Sequence, residues 1–325
     1  MPTDAQQSER IFVGLSNSSG DVALLTILLQ ALKMQSPASR LTVATAKSNR
    51  VLLEHCPWCD DVRGLEIDGK TMLAPAEFHR LFPPAEYDRY LLPQITNCSD
   101  GTVLATHNIL TAQFVLAGVP FPAAPQRVQL EVSPEDITAA EPYLRQLGDL
   151  SRVVLVNLRS YSIPPMYPRY EAALCAGLAM MGLQPYVVAG ATERVPDGMP
   201  RIFPPYGAWL HLVRQVPALV GVRNGLCDIS VSLCNHLVVA YGDRQRDAEN
   251  VRTSRLSAMN LVGNTTEIDR YHPLPILQAV AVIYGVDPVR ADAAYHAVAR
   301  MTRLTDWYDT VRKAIARAKY RRKKG

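Results

Sequence analysis

The turn after the first apolar run of the 325-residue sequence lacks both of the glycine signatures that mark common phosphate-binding loops. Near the first apolar run, Gly14 and Gly20 stand without the remainder of a Gly-x-Gly-x-x-Gly fingerprint, and no Gly-Lys-Ser/Thr follows. This argues against NAD-type and P-loop chemistry at that turn. An unbroken membrane span is missing too. The charge-free stretch Ala172 to Thr192 is long enough to suggest one, but Gly182, Gln184 and Pro185 interrupt it, as in a buried helix followed by a buried strand. Met1 to Arg10 is polar and carries no apolar signal segment, so a cytoplasmic protein is expected. Its six cysteines are then expected as reduced thiols, not as a disulfide framework. Cys56-Pro57-Trp58-Cys59 has the spacing of a redox pair or half a zinc site. No second close Cys/His pair supplies further ligands, so a turn after a short helix is the simpler reading, and no metal is expected.

What is present is an ordinary globular balance, with 48% hydrophobic and 20% charged residues, in a chain long enough for two domains. The net charge of +4 is unevenly placed. Arg312 to Lys324 holds eight basic and no acidic residues, and the rest of the chain carries −4 without them. An acidic body without a basic aromatic face is not expected to bind nucleic acid.

Apolar runs alternate with helical patterns, the mark of βαβ units and an α/β fold with parallel sheets. In the first half, strands are predicted at Ile11 to Leu15, Leu41 to Thr45, Val62 to Ile67, Tyr90 to Leu92 and Val128 to Glu131. After the polar turn Ser16 to Gly20, the spacing of Val22, Leu25, Leu28, Leu29 and Leu32 predicts a helix with one apolar stripe. Shorter helices are predicted at Val51 to His55 and at Asn108 to Ala117, the latter stopping at Gly118. Ser133-Pro134-Glu135-Asp136 reads as a cap, an N1 proline and first-turn acids of a helix running to Leu147. The pattern then starts afresh, with strands at Val153 to Leu158, Tyr186 to Val188, Leu219 to Val222 and Leu237 to Tyr241. Helices are expected at Arg169 to Met181, Trp209 to Val216, Gly225 to Cys234, Pro275 to Tyr284, Pro288 to Met301 and Asp306 to Lys319.

Ligands of open parallel sheets bind where strands lead into helix N-termini, because exposed N–H groups and the helix dipole favour anions there. Three turns qualify. Asn17-Ser18-Ser19-Gly20-Asp21 is a small-residue loop ending in a carboxylate, and on spacing alone Asp21 is a helix-neutralising acid. Arg223-Asn224-Gly225-Leu226-Cys227-Asp228 gathers a cation, a flexible backbone and helix donors at a strand end, which suits phosphate oxygens better than a plain surface turn. Arg159 and Ser160 follow the first strand of the second half. They are natural phosphate partners, although Arg159 reads equally as a surface charge.

At these residues the chain resembles a family. Leu15-Ser16-Asn17-Ser18-Ser19-Gly20-Asp21-Val22, with its leucine-rich helix ending Leu29-Gln30-Ala31-Leu32-Lys33, is similar to the opening of the ADP-heptose lipopolysaccharide heptosyltransferases, which begin with a Ser-x-x-Gly-Asp-Val-type turn. The similarity continues through Leu41-Thr42-Val43 and from Leu53 to Val62, where members often carry Asn-Pro-x-Val-Asp. In the second half, members carry Gly-Asn-Asp-Ser/Thr-Gly-Leu-x-His. This chain keeps the Gly-Leu pair at Gly225 and Leu226, but has Arg223 for the acid and Asp228 for the histidine. The likeness spans most of residues 11 to 265 and is more specific in the first turn than in the second.

The resemblance implies a GT-B fold, two Rossmann-like domains facing a cleft, with C-terminal helices crossing back. Residues 1–148 would form the acceptor-side domain, 149–290 the nucleotide-sugar domain, and 291–325 the helices and basic tail. It implies metal-independent, inverting transfer of a hexosyl or heptosyl group from a nucleotide sugar, used as co-substrate with no further cofactor, to a glycan or glycolipid acceptor of surface-polysaccharide type. Asp21 matches the family's general base, beside an acceptor-side loop of Asn17, Ser18, Ser19 and Gly20. Arg159, Ser160, Arg223, Asn224, Gly225 and Leu226 would hold the diphosphate, and Asp228 would hold a ribose hydroxyl or orient Arg223. The departures at Arg223 and Asp228 leave the sugar open, and with it a second class of function, a non-catalytic GT-B-like protein that binds a nucleotide sugar or an assembly partner. The basic tail reads either as a solvated helix end or as a dock for an anionic membrane surface, which would place the protein at the inner membrane.

Overall fold

The computed structural model describes residues 8–16, 18–69, 71–94, 103, 106–160, 166–241 and 255–324, with side chains after residue 303 limited to 305–307. Two parallel sheets organise the chain. The first contains β1 (Arg10–Gly14), β2 (Arg40–Ala46), β3 (Asp61–Leu65) and β4 (Arg89–Leu91) in the order β3-β2-β1-β4. The second contains β5 (Val153–Asn157), β6 (Gln184–Val188), β7 (Arg201–Ile202), β8 (Ala218–Val222), β9 (Leu237–Ala240) and β10 (Thr265–Ile268) in the order β10-β9-β8-β5-β6-β7. Each sheet starts at an inner strand, grows to one side, and then reverses to the other. The reversals fall between β1 and β4 and between β5 and β8, which are the topological switch points where open α/β sheets bind ligands.

The helices follow from local chemistry. After α1 (Ser19–Gln35), α2 (Lys47–Glu54) and α3 (Pro75–Leu81), the helix α4 (Ile109–Ala117) starts at Asn108, whose side chain accepts from the Thr111 amide, and stops at Gly118 with φ of 64°. In α5 (Pro134–Leu147), Ser133 and Asp136 exchange side-chain and backbone hydrogen bonds as a reciprocal capping box. The second half adds α6 (Pro168–Met180), α7 (Tyr206–Gln215), the short α8 (Gly225–Ser230), α9 (Pro273–Ile283) and α10 (Pro288–Lys324). Cys56 and Cys59 lie in a turn behind α2, closed by the Cys59 amide on the Cys56 carbonyl at 3.3 Å. The thiol of Cys59 is pushed up by its hydrogen bond with Cys56 and by burial, the opposite of what a reactive thiolate needs.

Four sequence expectations change. Val128 to Glu131 joins no sheet. Its amides go instead to the Ser232 hydroxyl (3.1 Å), the Thr26 hydroxyl (3.0 Å) and the His55 carbonyl (2.8 Å), so the segment is an extended strap across both halves. The helix at Gly225 ends at Ser230, not Cys234, because Ser232 turns aside to bond Val128 and the Val262 carbonyl. The C-terminal helices are one, α10. Between the two expected helices the Thr302 hydroxyl bonds back to the Ala299 carbonyl at 3.3 Å, inside the continuous helix. Its described packing is against α6 and α9. Finally, α1 has no solvent stripe from Val22 to Leu29. Ala23, Leu24 and Ile27 are as buried as Val22, Leu25, Leu28, Leu29 and Leu32, at 1% exposure or less. A helix apolar all round must be enclosed on all sides. The first sheet covers one face of α1, and α8 of the second half lies against it.

One hydrophobic core therefore runs through both halves, from Ile11 and Leu41 through α1 to Trp209, Leu219 and Leu237. Among the described residues no helix is long and apolar enough to cross a membrane. The halves also meet where α7 packs on α5. There a Cβ added at Gly207 would lie 1.7 Å from Asp136 Oδ1 and 3.3 Å from His55 Nε2. The Asp136 carboxylate cannot yield easily, since it accepts from the Ser133 amide at 2.9 Å and faces His55 Nδ1 at 3.4 Å. Gly207→Ala is expected to cost about 1–3 kcal/mol in urea unfolding; an unchanged midpoint and slope would remove this contact from the account.

Candidate functional site

The first switch point is closed from below by polar groups. Ser16, fully buried, turns its amide (3.1 Å) and hydroxyl (2.6 Å) to Gln94 Oε1 across the gap between β1 and β4. The Leu73 amide donates to Ser16 Oγ at 2.8 Å, and Gln94 Nε2 donates to the Leu73 carbonyl at 3.0 Å. This ring fixes where the chain leaves β1. Asn17 lies outside the described residues. Ser18 is the N-cap of α1, and its hydroxyl donates to Asp21 Oδ2 at 3.0 Å, tying the carboxylate to the first turn. From α4, Gln113 Nε2 donates to the Asp21 carbonyl at 2.9 Å.

The second switch point brings two of the predicted turns together. Asn224 Nδ2, after β8, donates to the carbonyl of Arg159, after β5. The Arg159 guanidinium is bidentate on Glu171, at 2.7 and 3.2 Å, and donates to the Arg194 carbonyl at 2.7 Å. Glu171 is almost fully enclosed while Arg159 keeps part of its surface. Burial raises the Glu171 carboxyl, and Arg159 pulls it back. Ser160 is next in the same loop and makes contacts of its own; residues 161–165 lie outside the described ones. Asn224 also caps α8, its Oδ1 accepting from the Leu226 (3.0 Å) and Cys227 (3.2 Å) amides. Arg223 is buried and bidentate on Asp228, with Nη1 to Oδ2 at 2.8 Å and Nη2 to Oδ1 at 2.6 Å, and Nη1 also donates to the Asn224 carbonyl at 2.7 Å. Burial works against the Arg223 charge, but the Asp228 carboxylate outweighs it and keeps the guanidinium protonated. Asp228 thus holds both terminal nitrogens of Arg223.

The two switch points face each other at glycine. A Cβ on Gly20 would lie 2.6 Å from Gly225 Cα and 2.5 Å from Asp228 Oδ2, and a Cβ on Gly225 would lie 2.8 Å from the Gly20 amide nitrogen. Hydrogen is the only side chain this approach admits at either position. It places Asp21, the residue after Gly20, next to the Arg223–Asp228 pair. Burial pushes the Asp21 carboxyl up to about 6, the Asp228 carboxylate adds to the rise, and Ser18 and Arg223 act the other way. A partly buried carboxyl with a midpoint near neutrality, at a sheet's carboxyl edge, is equipped to accept a proton.

Gln94, Gln113 and Glu171 were not singled out in the sequence. Glu171 had a signal, as a first-turn acid of the helix after Arg159. The two glutamines had none, because only the fold brings them to residues 78 and 92 positions away. Among the described residues no group of three or more His, Cys, Asp or Glu side chains is gathered as a metal site.

The raised Asp21 carboxyl affects stability. Its midpoint is about 6 in the folded chain against 3.8 for an ordinary aspartate, so between these values the folded state holds more proton. That contribution is complete below pH 3.8 and is lost as pH rises through about 6. Asp21→Asn, always neutral, should therefore be more stable than the parent by about 1–3 kcal/mol at pH 7.5, with the gain vanishing near pH 4. Chemical denaturation at the two pH values checks this, and a variant no more stable at pH 7.5 would contradict it.

No protein-family model matches the chain, and no curated protein matches it in sequence. Solved structures do match. They include a glycosyl transferase family 9 protein from Veillonella parvula DSM 2008, 12% identical over 89% of this chain and 97% of that one, with a TM-score of 0.58. ADP-heptose lps heptosyltransferase II of E. coli is 14% identical over 85% and 98%, with a TM-score of 0.62. The E. coli heptosyltransferase WaaC with ADP is 13% identical over 84% and 99%, with a TM-score of 0.57. At such identities the likeness is one of fold, and the fold of this chain is that of the GT-B glycosyltransferases: two Rossmann-like domains with parallel sheets and a C-terminal helical region.

Proposed function

We propose that the chain is a metal-independent, inverting glycosyltransferase that moves a hexosyl or heptosyl group from a nucleotide-diphosphate sugar to a glycan or glycolipid acceptor. The observation that carries this is the Asp21 carboxyl, raised to about 6 at the point where two switch points meet. Asp21 takes the proton of the acceptor hydroxyl as that oxygen bonds to the anomeric carbon. The bond from that carbon to the diphosphate breaks on the opposite face, and its electron pair leaves on the diphosphate. Arg159, the more exposed of the two arginines, and Ser160 are the first donors to the diphosphate. Arg223, Asn224, Gly225, Leu226 and Asp228 form the wall behind it. The acceptor side is the loop of Asn17, Ser18, Ser19 and Gly20. The nucleoside diphosphate is supported by the structure of WaaC with ADP, which shares the fold. The eight basic residues of the Arg312 to Lys324 stretch suit an anionic membrane surface, at about 1 kcal/mol per charge near it. A lipid-linked acceptor would lie there, on the cytoplasmic face.

A second reading, a GT-B-like protein that binds without turnover, is favoured by one observation. Arg223 and the Leu226 and Cys227 amides are already engaged inside the turn. Two measurements separate the readings. A nucleoside diphosphate or nucleotide sugar at 100 times its Kd should stabilise the protein by about 2.7 kcal/mol in a thermal-shift screen. Asp21→Asn should lose about 100-fold or more in kcat while keeping that shift. A shift without turnover in the parent chain would favour the binding protein, no shift with any nucleotide would end the transferase reading, and product without acceptor would indicate a hydrolase or epimerase.

A further inference from the structure

The C-terminal helix α10 has two faces that do not coincide. Ala291, Ala294, Val298 and Thr302 recur at three- and four-residue spacing and are buried, so they form the side packed on α6 and α9. Three contacts give the helix its direction. Arg290 Nη1 lies 2.6 Å from where a Cβ on Gly182, just past α6, would be, and Val298 Cγ2 lies 2.9 Å from a Cβ placed on Gly177. Asp306 then accepts from the hydroxyl of Tyr170, in the first turn of α6, and lies 3.4 Å from Nε2 of His272, the N-cap of α9. Helix α10 therefore runs antiparallel to α6 and along the strand direction, toward the carboxyl edge of the second sheet. That is the edge on which β5 and β8 lead into Arg159 and Arg223.

The helix continues for eighteen residues past Asp306, to Lys324, which is about 27 Å of helix. Following the helical period, the packed face leads next to Asp309, Arg312 and Lys313, three charged positions in place of alanine and valine. Leu304, Trp307, Tyr308, Val311 and Ile315 share a second face, about 130° round the helix from the first. Trp307 is 65% exposed, so the body does not cover this face there. Arg312 and Lys319 border it on one side and Arg321 on the other. We propose that this second face docks on an anionic lipid bilayer, with its apolar positions in the headgroup boundary and the basic ones on lipid phosphates. Tryptophan suits that boundary, with its apolar rings and single N–H donor. Charge selects the occupant. A second copy of this helix would bring two stretches of eight basic and no acidic residues together, whereas an anionic surface complements them. The bilayer then lies at the edge where the nucleotide turns open. The use of that placement for acceptor delivery rests on the transferase reading, but the docking itself does not.

The test is co-sedimentation of the full chain with vesicles, without nucleotide or acceptor. The parent should bind vesicles of equal parts phosphatidylglycerol and phosphatidylcholine about 10-fold or more tightly than phosphatidylcholine alone, and less tightly as salt rises. Brominated lipid should quench a share of the tryptophan emission that disappears in Trp307→Phe, since Trp58 and Trp209 pack in the core. Val311→Glu should weaken binding about 10-fold or more. The combination of Arg312→Gln, Lys313→Gln, Arg317→Gln and Lys319→Gln should weaken it about 100-fold or more. No binding, equal binding to both vesicles, or binding without quenching of Trp307 overturns the proposal. So does a parent dimer that Val311→Glu makes monomeric with vesicle binding unchanged, which would assign the face to a second copy. If Val311→Glu fails to fold, the quenching and the glutamine combination decide. No nucleotide takes part, so failure of the transferase reading leaves this result standing, and a chain that binds no vesicles leaves the role of Asp21 untouched.

Discussion

The enclosure of α1 is the constraint on which the rest depends. Seventeen residues form this helix, and its central turns offer no polar face to water. Each leucine removed from solvent contributes about 1.5–3 kcal/mol, so the first sheet alone, covering one side, would leave a large part of that unrealised. α2 and α4 of the first half also pack on α1, and α8 of the second half completes the cover. Once that packing is made, the N-termini of α1 and α8 have little choice of separation, and glycine at positions 20 and 225 is what lets them close. Packing of an apolar helix thus sets the distance between the two turns.

Electrostatics then become costly and specific. Two helix N-termini pointed at one another bring their positive ends together, and the acids in the two first turns, Asp21 and Asp228, answer that charge. The acids repel each other in turn, and the Arg223 guanidinium, bidentate on Asp228, attracts both. Burial first, and the Asp228 carboxylate second, leave Asp21 with a raised midpoint. The Ser16, Gln94 and Leu73 ring ties together the first switch point, and the Asn224 bond to Arg159 ties together the second. A carboxyl that is destabilised in its charged form is useful only if its surroundings cannot relax, and these bonds oppose relaxation.

Legibility in the sequence followed the range of the interaction. Period and capping are local, so β1, β2, β5 and β8 and the start of α5 at Ser133 could be read directly. The two-residue β7 and the half-polar β10 have too little pattern to notice. Val128 to Glu131 has the composition of a strand and became a strap, since its hydrogen-bond partners come from Thr26, His55 and Ser232. The turns at Asp21 and Arg223 were visible as strand-to-helix turns. Their meeting through Gly20 and Gly225, and the clamp of Asp228 on Arg223, depend on contacts that no spacing encodes. For the same reason the sequence showed Arg223 as a phosphate partner without showing its buried bond to Asp228.

The central claim is that Asp21 and a nucleotide-binding turn face one another across the Gly20–Gly225 contact. A crystal structure of the protein with ADP or UDP at saturating concentration tests it most directly. The account predicts the diphosphate at the carboxyl ends of β5 and β8, within hydrogen-bond reach of Arg159 or Ser160, with its distal phosphate turned toward Asp21. A nucleotide bound away from these strand ends, or one whose diphosphate is screened from Asp21 by α8, would contradict it.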